Sequence, residues 1–334
     1  MKDYKPTLRT IIYCITVLIL GILVAVTIKK GNAHTATHSR TGYYFNTTIN
    51  ISLYDKISDS EASSILDECM KKSSHYEDLF SRTKEGSDVY RINEASAGEE
   101  ISVDEETASL LNTALYFASL SDGAVDPTIG ALTILWNIGE DSEDVIPPKE
   151  DIDNALLHVD YKNIKINDTT VTKSDPDLKV DLGFIAKGYI ADSLRSYLIS
   201  EGIENAIINL GGNILCIGDN FKNGYNIGIT DPVNPQSSAI KTLNIKDQSV
   251  VSSGNYERYF IKDGIRYHHI LSTKDGYPAN KGLSQVTIIS DDSVTGDALS
   301  TLLFILGYDE GSSFVSKYFP DVTVIFADED GKIL

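Results

Sequence analysis

The sequence predicts an α+β fold preceded by one N-terminal transmembrane helix, and three observations lead there. Helical and strand periodicities both occur, but they do not alternate as regular βαβ units. Short alternating runs bounded by Gly, Asn and Asp crowd the C-terminal half. One apolar run near the start is long enough to span a bilayer.

That run, residues 11–28 (IIYCITVLILGILVAVTI), has eighteen positions without a charge. It approaches the ~20 residues of a spanning helix and exceeds a usual signal-peptide core. Residues 1–10 then form a short basic N-terminus and 11–28 an uncleaved anchor. Gly31 and Ala33 keep cleavage after Ala33 open as the alternative. Lys2, Lys5 and Arg9 before the span balance Lys29, Lys30 and Arg40 after it, so charge does not orient it. Residues 29–40 (KKGNAHTATHSR) read as a linker and 41–334 as one domain.

From Tyr43 a strand pattern runs through Ile49, Ile51 and Leu53. Ser58 and Glu61 make a capping box before a helix whose apolar positions are Ala62, Ile65, Leu66, Cys69 and Met70. A second helix is expected over Glu105 to Leu120. Residues 140–180 read as a loop with short strands. A helix follows over 185–200, then strands at AIINL, ILCIG, YNIGI and RYHHIL. The tail reads as strand 285–289, helix 295–306 and strand 322–327.

Composition excludes several functions. Among 334 residues, 29 Lys+Arg face 48 Asp+Glu, a formal charge of -19. No nucleic-acid partner is expected, because phosphate backbones need basic patches. An anionic small molecule would need a metal ion, a lone lysine or helix N-termini to receive it. The 42% apolar content excludes a disordered acidic chain. Cys14, Cys69 and Cys216 form no CxxC pair and read as buried thiols. GxSxG, Walker A, HExxH and GxGxxG are all absent.

Four segments are able to carry chemistry. In VTGDALSTLLFILG (294–307), Asp297 and Thr301 share a helix face with Ser300 beside them, a hard-oxygen set suited to Mg²⁺. The same spacing fits an Asp that caps its helix and a Thr bonded to the preceding turn. In VDLGFIAKGYIAD (180–192), Asp181, a helix start and Lys187 suit a diphosphate; Asp181 as a cap and Lys187 in solvent is the alternative. In SDGAVDPTIGALTILW (121–136), Gly123, Pro127 and Gly130 suggest a tight loop that lets a ligand approach the backbone, or a plain turn with Trp136 in the core. In SSGNYERYFIKDGIRYHHILSTKDGYP (252–278), a KDG turn joins two strands. His268 and His269 lie on opposite sides of a strand there, one toward the core or site and the other toward solvent.

In this order and spacing the segments resemble the ApbE family of FAD:protein FMN transferases. The resemblance rests on FNT (45–47), FSRTKEGSDVYRIN (80–93), AVDPTIGALTILW (124–136), DLGFIAKGY (181–189), NLGG (209–212), SGNYERY (253–259), HHILSTKDGYP (268–278) and GDALST (296–301). It spans about residues 42 to 327 and implies the family's fold of mixed and antiparallel sheets flanked by helices. It also implies an FAD site over Phe45, Thr83, Ala124, Val125, Asp126, Asp181, Lys187 and Leu271. A Mg²⁺ site would use Asp297, Thr301, the Phe184 carbonyl and Ser300. His269 matches the family's characteristic histidine. Ser272 and Thr273 stand where Asp-Pro is usual, Asp275 where Thr is common, Asn255 where Asp is frequent, and Thr83 where an aromatic often contacts flavin. These departures touch loop geometry and flavin stacking rather than the metal pair.

The implied activity moves FMN from FAD onto a Ser or Thr hydroxyl of a client, releasing AMP. The implied clients are flavin subunits of Rnf- or Nqr-type electron-transfer complexes, met at the outer face of a bacterial cell membrane by a single-pass enzyme. Three readings compete with it: an FAD pyrophosphatase giving free FMN, a non-catalytic flavin-binding module, and an extracellular adhesion or solute-binding domain.

Overall fold

Alternation of apolar residues drives one face of a strand inward. The computed structural model describes residues 37–139 and 144–334. In it β1 (His38–Tyr44) precedes β2 (Thr47–Leu53), which buries Ile49, Ile51 and Leu53 as its alternation requires. The single strand expected from Tyr43 is thus a hairpin. Phe45 and Asn46 take φ of 53° and 55°, the left-handed pair of a two-residue turn. The apolar run at 11–28 lies outside the described residues. Among those residues no helix is long and apolar enough to cross a membrane.

Helix α1 (Asp59–Phe80) starts at the expected capping box, where Ser58 Oγ accepts the Glu61 N–H at 3.2 Å. Next come α2 (Asp88–Glu94), β3 (Ile101–Ser102) and α3 (Glu105–Leu120), the last within the expected bounds. The chain continues through α4 (Gly130–Trp136), α5 (Lys149–Leu156), β4 (Ile164–Asn167) and β5 (Thr170–Lys173). The sequence reading missed α5 because only Ile152 on it is buried, which leaves no apolar stripe to read.

The C-terminal half runs α6 (Ala186–Ser200), β6 (Ala206–Leu210), β7 (Asn213–Ile217), β8 (Tyr225–Ile229), β9 (Lys241–Ile245) and β10 (Ser249–Gly254). It ends with β11 (Tyr259–Lys262), β12 (Ile265–His268), β13 (Leu283–Ser290), α7 (Ser293–Leu306), α8 (Tyr308–Tyr318) and β14 (Thr323–Asp328). Asp263 and Gly264 form the expected KDG turn, both left-handed.

The central sheet has seven strands in the order β1-β2-β6-β7-β10-β13-β14, every neighbouring pair antiparallel. Its core brings Ile51, Ile208, Leu215 and Ile288 together with Leu194 of α6 and Leu299 and Leu302 of α7. A second core packs the β8–β9 hairpin through Tyr225, Ile227 and Ile245 against Cys216, Val250 and Ile289. A third, smaller core joins Leu132, Trp136, Ile152, Phe260 and Leu271, and so ties the β11–β12 hairpin to α4 and α5. Helices and antiparallel sheets make this an α+β fold. Cys69 and Cys216 are buried free thiols, as expected; Cys14 lies outside the described residues.

Candidate active site

Two helices that touch almost backbone to backbone create the site. A Cβ built on Gly188 of α6 would stand 2.3 Å from the Ser293 carbonyl oxygen of α7, so only glycine permits the contact. The N-terminus of α7 is capped by Asp292, whose Oδ1 accepts the Thr295 N–H at 2.8 Å. Asp192 of α6 reaches across to accept the Ser293 and Val294 N–H groups at 2.9 and 2.8 Å. Burial nevertheless raises Asp192 to about 6, against the pull of those two bonds.

Asp297 is therefore not a cap. It lies one turn further on, 2% exposed, with Oδ2 accepting the Gly188 N–H at 2.9 Å. Oδ1 faces the Lys187 ammonium at 3.3 Å, so Lys187 is not merely solvated. Burial raises the Asp297 carboxyl, and the Lys187 charge and Gly188 N–H oppose that rise. Ser300 donates to the carbonyl of Asp297 at 2.9 Å. Ser253 at the end of β10 joins the cluster, its Oγ 2.7 Å from Ser300 Oγ and 3.2 Å from Thr301 Oγ1. Asn213, also buried, accepts the Ser293 hydroxyl at 2.7 Å.

The oxygen set fits a hard cation. Because the Gly188 N–H is spent on Asp297, the Phe184 carbonyl four residues earlier accepts no backbone hydrogen bond among the described residues. An open carbonyl, a buried carboxylate and the Thr301 hydroxyl are the donor types Mg²⁺ takes. The set differs from a multi-carboxylate cage. Among the described residues, the one cluster of three His, Asp or Glu ligand groups is elsewhere, at His158, Asp175 and Asp177.

Around this centre the remaining expected residues fall into place unequally. Asp181 accepts the Gly183 N–H on Oδ1 at 2.8 Å and pairs through Oδ2 with Arg82 Nε at 3.0 Å. Helix α6 has no side-chain cap, so Asp181 does not cap it. The strand-like segment before Asp181 is clamped by Asn93, whose amide holds both N–H and C=O of Val180, and by Lys173. The buried Lys173 ammonium donates to the carbonyls of Asn93, Pro176 and Leu178, each at 3.0 Å.

The Asp126 carboxylate is spent internally, on the Thr128 N–H and hydroxyl and on the Tyr161 N–H. Ala124 and Val125 are buried as well. This strip offers a ligand its backbone rather than its side chains. Thr83 sits exposed next to Arg82. The Phe45 N–H is fixed by Glu77 Oε1 at 2.8 Å, and the ring lines a recess with Tyr44, Thr47, Lys187 and Leu210. The Leu271 side chain is in the third core, beside Trp136. Trp136 is a core residue, its Nε1 donating to the Gly276 carbonyl at 2.7 Å and its ring stacked on Tyr267.

The two histidines do not face opposite sides of one strand, because β12 ends at His268 and His269 lies in the bend after it. His268 is buried edge-on to Phe304, with Nε2 3.0 Å from the Ala279 carbonyl. His269 is half-buried, its Nδ1 3.3 Å from the Arg258 carbonyl. Burial first, then the Arg258 and His268 charges, lower His269 to about 3, so its ring is neutral at neutral pH. Burial lowers His268 to about 4, against its bond to Ala279. A depressed pKa contributes stability that is present above the unfolded value near 6.5 and is lost as pH falls toward 4. His268→Gln is accordingly expected to remove roughly 2 kcal/mol of the stability lost between pH 7 and pH 5. Urea unfolding of both chains at the two pH values measures this; an unchanged slope contradicts it.

Arg82, Ser253, Glu257, Asn213 and Asp192 are site residues that sequence reasoning did not single out. Ser253 and Glu257 lie within SGNYERY and Asn213 directly follows NLGG, so the segments carried the signal without the roles. Glu257 faces the cleft near Gly212, close enough to Lys187, Arg258 and Asp297 for their charges to act on it. Protein atoms around it raise it to about 6 in spite of the two cations, although the side chain itself is exposed.

With this geometry in view, the family model described as "ApbE family" matches residues 45–326. The chain belongs to the ApbE family. Among curated ApbE-type relatives, the FAD:protein FMN transferase of Treponema pallidum is 30% identical, covering 94% of this chain and 92% of that protein. The FAD:protein FMN transferase of Klebsiella pneumoniae is 38% identical over 78% of this chain and 80% of that protein. The crystal structure of the ApbE protein from Thermotoga maritima superposes with a TM-score of 0.80 at 36% identity, over 89% of this chain and 96% of that one. The flavin transferase ApbE from Vibrio cholerae gives 0.79 at 29% identity, with the same coverage.

Proposed function

We propose that this chain is an FAD:protein FMN transferase, which moves the FMN moiety of FAD onto a Ser or Thr hydroxyl of a client flavoprotein and releases AMP. The observation that carries it is the buried Asp297, held by Gly188, facing Lys187 and flanked by Ser300 and Thr301, in a chain whose curated relatives bear that enzyme name. Asp297, Thr301, Ser300 and the Phe184 carbonyl would hold Mg²⁺. When bound, that ion offsets negative charge growing on the diphosphate.

The protein's own groups do the rest. Lys187, in the first turn of α6, receives the diphosphate, since the Ile185, Ala186 and Gly188 N–H groups there are already bonded to Leu182 and Asp297. Phe45, Thr83, the backbone at Ala124, Val125 and Asp126, Asp181 and the backbone at Leu271 bound the rest of FAD. The client oxygen forms a bond to the FMN-side phosphorus. The bond from that phosphorus to the oxygen bridging it to AMP breaks, and AMP leaves with the electron pair. Neutral His269 orients the client hydroxyl through its free Nε2. Glu257, raised to about 6, is better matched to take the proton at neutral pH.

The segment at 11–28 would anchor the enzyme in a bacterial cell membrane with its acidic domain on the outer face. Flavin subunits of Rnf- or Nqr-type complexes present suitable clients there. The test combines the full-length chain, FAD, Mg²⁺ and such a subunit, and follows the subunit's mass. One FMN gained, and lost on chelation or on replacing the client's acceptor hydroxyl by Ala, is the expected result. Free FMN beside a bare client assigns a pyrophosphatase instead. FAD bound but uncut assigns a flavin-binding module.

A further inference from the structure

We propose that Lys187 and the divalent cation exchange places on Asp297, so that metal binding frees the lysine for the FAD diphosphate. The inference rests on the metal assignment above and deepens it.

The two carboxylate oxygens of Asp297 are not equivalent. Oδ2 is held by the Gly188 N–H at 2.9 Å, and Gly188 is wedged against Ser293 where no side-chain atom fits. That oxygen is pinned by backbone. Oδ1 faces the Lys187 ammonium at 3.3 Å, with the Asn213 side chain also bearing on the carboxylate. It is therefore the oxygen a cation can take, and it is the one already facing a positive charge.

The two partners also differ in freedom. The Asp297 side chain is 2% exposed and cannot follow a moving partner, whereas Lys187 is 31% exposed on a flexible four-carbon stem. Two cations against one buried oxygen repel strongly at short range, so the mobile one gives way. The displaced ammonium is not stranded. The Glu257 carboxylate is near enough to feel its charge. Lys187 thus lowers the affinity for the metal, and the metal in turn delivers Lys187 to the phosphates. Because binding couplings are reciprocal, FAD that engages the freed lysine tightens the metal.

Two measurements on the full-length chain without FAD test the exchange. The first is Mg²⁺ titration by calorimetry, comparing wild type with Lys187→Met. At least a tenfold tighter Kd in the variant is expected. The second is the rate of Lys187 acylation, read by peptide mass in the wild-type chain with and without Mg²⁺. Mg²⁺ should raise it to the level that Asp297→Asn shows with or without the ion. Mg²⁺ that binds both chains equally, or more weakly to Lys187→Met, overturns the exchange and leaves the metal assignment standing. So does a Lys187 acylation rate that Mg²⁺ leaves unchanged or lowers. No Mg²⁺ binding to either chain overturns both.

Discussion

Asp297→Asn is expected to leave the fold intact and to slow FMN transfer at least about 10³-fold, the scale of removing the group that holds charge against a phosphoryl transition state. Burial already raises the Asp297 carboxyl, so a neutral amide of the same shape suits the pocket. Its oxygen still accepts the Gly188 N–H. What it cannot do is balance Lys187 or hold a divalent ion. Client mass gain and Mg²⁺ titration, beside a thermal melt, separate these effects. Transfer within tenfold of wild type would remove Asp297 from the mechanism.

The second large effect lies in a residue with no side chain. Gly188→Ala puts a methyl group 2.3 Å from the Ser293 carbonyl oxygen and 2.6 Å from Val294 Cα, both backbone atoms that cannot swing aside. Helices α6 and α7 must separate, at a cost of about 2–4 kcal/mol. The Gly188 N–H then withdraws from Asp297, so Mg²⁺ binding and transfer fall with stability. Denaturant unfolding and Mg²⁺ titration of the same variant check both halves. A variant as stable as wild type, with normal metal affinity, would show that this contact has slack.

Much of the fold was legible because its signals are local. The Ser58–Glu61 capping box, the α3 periodicity and the AIINL and YNIGI alternations depend on residues close in sequence, and the structure realises each one. Helix α5 was not legible, since one buried residue makes no stripe. The hairpin at Phe45–Asn46 was hidden by a continuous run of strand-forming residues, with Phe where a left-handed turn prefers Asn or Gly.

The site divides along the same line. Asp297, Ser300 and Thr301 share one helix turn and could be read from spacing. The partners that give them meaning, Lys187, Gly188 and Ser253, come from elements up to about a hundred residues away. Only packing brings them together. Asp126 shows the converse: a charged residue in a marked segment, whose oxygens turn out to be spent on Thr128 and Tyr161. The Asn93 and Lys173 clamp on the segment before Asp181 left no trace in spacing at all.

A transferase splits FAD only by transfer, placing one FMN on the client for each AMP released. A time course of AMP by chromatography and of FMN-bearing client by intact mass, in one reaction with Mg²⁺ and excess FAD, measures that ratio. Equal amounts at every time point, with no free FMN, are the predicted result. AMP released ahead of client-bound FMN, matched by free FMN in solution, would contradict it.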